Sequence, residues 1–230
     1  MKKISIICTG GKRIFIELTK AIEDSINEIC EYKTYWIGLK SQVLPLSAVN
    51  IIIHGKNIKS NRLKGYNILI QTEQQYTDID ISAYDLVLNL FENPSHVYFP
   101  LGYSKYFDYS KEIEEDIDRF FIGGLGSRNG RRQEILKKLN INHFMVFGEE
   151  RDEIIKRTKF NVNILNNESW KYTPLRGILI YSKGKIMLQE KTTGYGFHKP
   201  YVIEYTQDNF LDVIEEWKDD KKRKDFGMYI

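Results

Sequence analysis

Unbroken apolar runs and stretches with apolar residues three or four positions apart alternate along most of this chain. ISIICT (residues 4–9), a β-branched run closed by Gly10-Gly11, has the pattern of a strand buried on both faces. In RIFIELTKAIEDSINEI the apolar residues Phe15, Leu18, Ile22 and Ile26 recur at helical spacing, which predicts an amphipathic helix. YKTYWIG, NIIIHG (50–55), YNILIQTE (66–73) and YDLVLNL (84–90) then predict further strands, most of them ended by Gly or a polar residue. HVYFPLGYSKYFDYSKEIEED (96–116) breaks the rhythm with tyrosines, a Pro-Leu-Gly turn and a charge run, and reads as a crossover.

The alternation then restarts. DRFFIGG predicts a strand, NGRRQEILKKLN a helix with Ile135, Leu136 and Leu139 inward, HFMVFG a strand and EERDEIIKRT a helix. FNVNIL and KIMLQE predict strands on either side of YTPLRGILIYSKG, a helix opening near Pro174. KTTGYGFHKPYVIEY (191–205) fits either a β-hairpin or a loop whose Tyr195, Phe197 and His198 stack on a base or sugar ring. DNFLDVIEEWKDDKKRK predicts one amphipathic helix capped by Asp208 or Thr206, with the basic tail 218–226 as its solvated end. Strands separated by helices indicate the α/β class, as two small Rossmann-like domains with parallel sheets facing a cleft. The expected divisions are 1–100, a linker at 101–117, 118–206, and a C-terminal helix and tail at 207–230 that packs back on the N-terminal domain.

Composition adds bounds. With 42% hydrophobic and 28% charged residues the chain is an ordinary globule, and a formal charge of +3 permits an anionic ligand without announcing nucleic acid. No apolar run approaches the roughly 18 residues of a membrane span. The start, MKKISIICTGGKR, breaks at Gly10-Gly11, so it reads as a first strand and not a leader. Cys8 in that strand and Cys30 in a helical stretch read as free thiols, which suits a cytoplasmic protein. Four histidines and two cysteines without metal-ligand spacing give no expectation of a metal or other cofactor; Asp78 and Asp80 read as turn chemistry.

Candidate chemistry gathers at FFIGGLGSRNGRRQEILKKL (120–139), a strand-to-helix junction with four glycines and three arginines. A helix N-terminus favours anions, glycines let the backbone approach an oxyanion, and arginine forks match phosphate oxygens. Residues 123–132, with Gly124, Arg128 and Arg131, therefore read as a diphosphate cradle, or else as a turn with solvated arginines; neither common phosphate-loop spacing is present. Further on, Glu168 follows a strand, Arg176 lies on the next helix and Glu190 ends the next strand.

Phe121-Ile122-Gly123-Gly124, Arg131-Arg132, Asn163-Ile164, Glu168, Arg176, Gly184 and Glu190 together resemble the C-terminal half of GT-B glycosyltransferases, in particular the small CgeB-like and phage-encoded branch. ILIQTEQQ (68–75), with Glu73 and Gln74, and VYFPLGYSKYFD (97–108) resemble its N-terminal motifs. The resemblance implies a nucleotide-sugar donor held mainly by the C-terminal domain. Glu190 would accept from ribose hydroxyls, Arg176, Arg128 and Arg131 would neutralise the leaving diphosphate, and Glu168 would orient Arg176 or touch the donor sugar. A salt bridge between Glu168 and Arg176 and a solvated strand end at Glu190 are the plain alternatives. On the acceptor side stand Gly10, Gly11 and Gln74, with Glu73 the first candidate for the base and His54 the second.

The expected function is transfer of a sugar to an acceptor hydroxyl, the acceptor being a small molecule, a glycan or a modified DNA base. The rival classes are a phage-type DNA-modifying glycosyltransferase and a non-catalytic nucleotide- or partner-binding module of the same fold.

Overall fold

The computed structural model describes residues 3–9, 12–27, 29–37, 46–55, 58, 63–72, 79–90, 96–99, 113–125, 130–168, 170–172 and 174–228. The chain divides into two units, Met1–Tyr106 and Phe107–Ile230.

In the first unit, β-branched runs form the centre of a parallel sheet. β1 (Lys3–Cys8) leads to α1 (Lys12–Asn27), followed by β2 (Glu31–Trp36), β3 (Val49–Ile53), β4 (Tyr66–Gln71), β5 (Leu86–Asn89) and β6 (Val97–Tyr98). The strand order is β2-β1-β3-β4-β5-β6, with every pair parallel. Ile6, Ile7, Ile52, Ile53, Leu69 and Ile70 are buried, as central strands covered on both faces require. Phe15, Leu18 and Ile22 of α1 are buried as well. β2 lies at the edge, and its sequence EYKTYW alternates accordingly. β6 was not foreseen. Its two residues inside the expected crossover become a strand only because Leu88 and Asn89 offer a ladder.

At the entry end of this sheet Asn50 is fully buried and hydrogen-bonded on all sides. Its Nδ2 donates to the Lys64 carbonyl at 2.9 Å and to Asn67 Oδ1 at 3.0 Å, while its Oδ1 accepts from the Ser47 N–H at 2.7 Å. A buried amide satisfied in this way fixes the loops that bring β3 and β4 into register.

The second unit repeats the winding. It comprises β7 (Ile117–Ile122), α2 (Arg131–Lys138), β8 (Asn142–Phe144), α3 (Gly148–Arg157), β9 (Thr158–Asn163), α4 (Pro174–Tyr181), β10 (Met187–Glu190), β11 (Ile203–Tyr205), α5 (Phe210–Glu216) and α6 (Asp220–Met228). The order is β11-β10-β9-β7-β8, again parallel throughout. In both sheets the first strand has the second on one side and the third on the other. The topological switch points therefore lie between β1 and β3 and between β7 and β9.

Ile135, Leu136 and Leu139 of α2 share one core with Phe210 and Val213 of α5 and with β7, β9, β10 and β11. Ile155 of α3 and Ile180 and Tyr181 of α4 belong to another, with Tyr172, Met187 and Tyr195. Gly177 is required there, because a Cβ at that position would stand 1.8 Å from the Tyr172 hydroxyl oxygen.

Three expectations for the C-terminal region are corrected. Residues 191–205 form no hairpin: a 3-10 helix at Gly196–Tyr201 carries the chain across, and β11 pairs parallel to β10. The last helix is two helices, because Arg223 donates to the carbonyls of Trp217 (3.0 Å) and Lys218 (2.6 Å) and so closes the C-terminus of α5. Asn209 is the N-cap of α5, and Thr206 closes the turn before it, its N–H reaching Asn209 Oδ1 at 2.7 Å.

Nor is the basic tail merely solvated. Arg223 is 3% exposed, lies over the Phe160 ring and donates to Glu115 at 2.9 Å, where Lys185 also arrives at 2.6 Å. Phe210, Val213, Trp217 and Phe226 of α5, α6 and the turn between them pack on the core of the second unit. Among the described residues, no helix is long and apolar enough to cross a membrane.

Candidate functional site

Two groups of side chains lie at the C-terminal edge of the second sheet, where the loops of α/β units hold ligands. The first lines a cavity of about 450 Å³. Arg131 and Lys138 come from α2, Leu165 and Glu168 from the segment after β9, Glu190 and Lys191 from the end of β10, and Tyr205 to Asp208 from the end of β11. Three cations and three carboxylates share the lining, so it offers both donors and acceptors with no net formal charge.

Arg131 organises this cavity. Its Nη1 donates to the Leu165 carbonyl at 2.7 Å and to Glu190 Oε2 at 3.0 Å, and its Nη2 donates to Glu190 Oε1. Glu190 Oε2 also accepts the Leu165 N–H at 2.9 Å. The bond from Glu190 holds the Arg131 pKa above the ordinary arginine value. Glu168 stands 3.5 Å from Arg131 Nε, with a side chain 81% exposed against 9% for Glu190. Glu168 thus contacts Arg131, in place of the salt bridge to Arg176 that is the plain alternative to its donor-side role. Tyr205 donates to the Asn163 carbonyl at 3.1 Å, and burial, reinforced by the Glu190 charge, pushes its hydroxyl pKa well up.

The second group sits at the β7/β9 switch point. The guanidinium carbons of Arg132 and Arg176 each lie 5.2 Å from the centroid of the buried Phe121 ring. Arg132 donates to the carbonyls of Ile164 (3.0 Å) and Gly124 (2.6 Å), stitching the end of β7 to the segment after β9. Arg176 donates to Asn163 Oδ1, whose amide donates to Gln189 Oε1 at 2.6 Å. Gly123 leaves room for this arginine, since a Cβ there would meet Arg176 Nη2 at 2.8 Å.

The structure thus brings Arg131, Glu168 and Glu190 together, and sets Gly124 and Arg176 at the neighbouring switch point. Arg128, Glu73, Gln74, Gly10 and Gly11 lie outside the described residues. His54 ends β3 at the switch point of the first sheet, with φ at 73° in the left-handed region. Its Nδ1 is 3.0 Å from Thr72 Oγ1, and its ring centroid is 5.1 Å from that of Phe15.

Tyr195 presents no stacking face. It is buried against Tyr172, accepts the Thr192 N–H at 3.0 Å and donates to Glu204 at 2.7 Å. The side chains of Phe197 and His198 are outside the described set. Sequence reasoning missed Gln189, Lys138 and Lys191, and it met Arg132 and Asn163 only as parts of motifs, with no role of their own. For Asn163 and Gln189 a signal existed: each is a polar residue in the last two positions of a largely buried strand.

Two parallel-sheet Rossmann-like units with these edges define the class of the fold as GT-B. No protein-family model matches the chain, and no curated protein resembles it in sequence. Among solved structures, MurG of Acinetobacter baumannii is similar at TM-score 0.50 and 10% identity over 99% of this chain and 94% of that one, which shows the fold. The E. coli heptosyltransferase WaaC, solved with ADP-2-deoxy-2-fluoro heptose, gives 0.45 at 11% identity over 93% and 99%. The Gap123 complex from Streptococcus agalactiae gives 0.43 at 12% identity over 83% of this chain, which spans only 52% of that chain's length.

Proposed function

We propose that the protein is a glycosyltransferase that moves a sugar from a nucleotide-activated donor to an acceptor hydroxyl. The observation that carries this reading is the cavity at the C-terminal edge of the second sheet, where carboxylates and cations alternate on a GT-B fold. Guanidinium and ammonium groups suit a diphosphate, and the Asp208 carboxylate of the lining suits a ribose or sugar hydroxyl.

In the reaction the acceptor oxygen attacks the anomeric carbon while the bond from that carbon to the diphosphate oxygen breaks. The acceptor proton passes to a base in the first unit, for which Glu73 is the first candidate and His54 the second. The nucleoside diphosphate leaves with added negative charge. Arg176 and Arg131 meet that charge, with Arg128 and the N–H of Gly124 on the same cradle. Gly10, Gly11 and Gln74 are assigned to the acceptor side. Membership of the CgeB-like or phage-encoded branch, and with it a modified DNA base as acceptor, rests on the short motifs alone.

The test is donor hydrolysis without acceptor: incubate the protein with UDP-, GDP- and ADP-sugars and follow release of the nucleoside diphosphate. Slow release that falls at least tenfold in Arg176→Ala is the expected result, tenfold corresponding to about 1.4 kcal/mol of lost leaving-group stabilisation. Thermal stabilisation by nucleotide with no turnover on any donor and acceptor combination would instead make the protein a binding module.

A further inference from the structure

Arg131 is held on one side and open on the other. A guanidinium carries five N–H groups in a planar fork. Three are taken by Glu190 Oε1, Glu190 Oε2 and the Leu165 carbonyl. The two that remain, Nε–H and the second Nη2–H, lie side by side on one edge and make a second fork. The Glu168 carboxylate stands by that edge, 3.5 Å from Nε, on a side chain that is otherwise largely in solvent.

We propose that Arg131 is the cavity's anion-binding group, that Glu190 is its positioning residue and not a ligand contact, and that the ligand's phosphate displaces the Glu168 carboxylate from Arg131. This assignment rests on the donor-site reading above, and it names a pyrophosphate as the group that docks on the free edge.

Bond capacity separates the two carboxylates. Glu190 Oε2 already accepts from Arg131 and from the Leu165 N–H, and Oε1 accepts from Arg131, which leaves one acceptor position at most. A vicinal diol needs two. Buried and bonded to both the fork and the backbone, Glu190 is built to aim the arginine. Glu168 has the opposite character. Its contact is long and exposed, the kind of ion pair that contributes little and is easily exchanged. A phosphate oxygen on the same edge gains two charge-assisted hydrogen bonds, and its own charge repels Glu168 outward.

The two carboxylates touch one arginine, yet their removal acts with opposite sign. Calorimetric titration of inorganic pyrophosphate, and of UDP, GDP and ADP, into the full chain reads this directly. Glu168→Ala is expected to bind pyrophosphate several-fold more tightly. Glu190→Gln and Arg131→Lys are each expected to bind it about tenfold more weakly, the loss of one charge-assisted bond. Glu190→Gln should weaken the best nucleotide and its 2′-deoxy counterpart by the same factor, a result that a ribose contact would not give.

Weaker or unchanged pyrophosphate binding in Glu168→Ala, or loss of only the ribose preference in Glu190→Gln, overturns the inference and leaves the donor site standing. Should Glu190→Gln fail to fold, the sign of the Glu168→Ala effect decides alone, since that side chain is exposed. Wild-type protein that binds neither pyrophosphate nor any nucleotide overturns both readings.

Discussion

Arg131 and Arg132 are adjacent in sequence and similar in chemistry, yet the fold uses them differently. Arg132 is absorbed into backbone carbonyls, whereas Arg131 is shared between a buried carboxylate and an open cavity edge. The sequence marks both as cations at a strand-to-helix junction, and it marks Glu168 and Glu190 as carboxylates at strand ends. Which carboxylate meets which arginine depends on strand order, and strand order is not written in local residues. The buried tyrosines carry a further residue-scale consequence. Burial pushes the Tyr84 hydroxyl up to about 12 from 10.0, with the Asp80 charge adding to it, and burial also raises Tyr181, Tyr195 and Tyr205. A folded-state pKa above the unfolded value stabilises below the unfolded pKa and is lost as pH rises through the folded one. Stability should therefore hold up to about pH 10 and fall steeply between about pH 10 and 12. Denaturant midpoints measured across this range check it, with the share of tyrosinate absorbance that belongs to these four of the fifteen tyrosines expected to appear only with unfolding. Ionisation of all fifteen before any loss of structure would count against the burial of these rings.

Among the elements, those with long, strongly patterned sequences were legible: ISIIC gives β1, and Phe15, Leu18 and Ile22 face inward from α1. Elements defined by what they pair with were not. β6 is two residues long, and β11 is a three-residue run whose direction is set by the chain crossing between it and β10. The break between α5 and α6 was hidden because KDDKKRK continues the polar pattern, while the cause of the break is a single arginine turned inward. Arg223 joins α5, α6 and Glu115, the residue two positions before β7. Replacing it with Ala leaves Glu115 short of a partner and the carbonyls at the end of α5 uncapped. The expected cost is about 3 kcal/mol to the second unit, read as a lower denaturant midpoint with a smaller loss in Arg223→Lys. An Ala variant as stable as wild type would show that α6 is not held by this cluster.

At the scale of the molecule, both halves wind their sheets in the same order, and each sheet opens its switch point where the sequence places a candidate: His54 in the first, and Gly123, Gly124 and Arg176 in the second. That the chain is α/β with two parallel sheets followed from strands and helices in alternation. The cavity followed less directly, because Lys138, Lys191 and the 206–208 turn reach it through packing of α2 and α5 on one face. The account stands on this cavity holding a nucleoside diphosphate. Thermal unfolding of the full chain in UDP, GDP, ADP and CMP measures that most directly. One of the diphosphates at about 100 times its dissociation constant should stabilise the fold by about 2.7 kcal/mol, and Arg131→Lys should lose much of that shift. An unfolding temperature unmoved by every one of these nucleotides at millimolar concentration would contradict it.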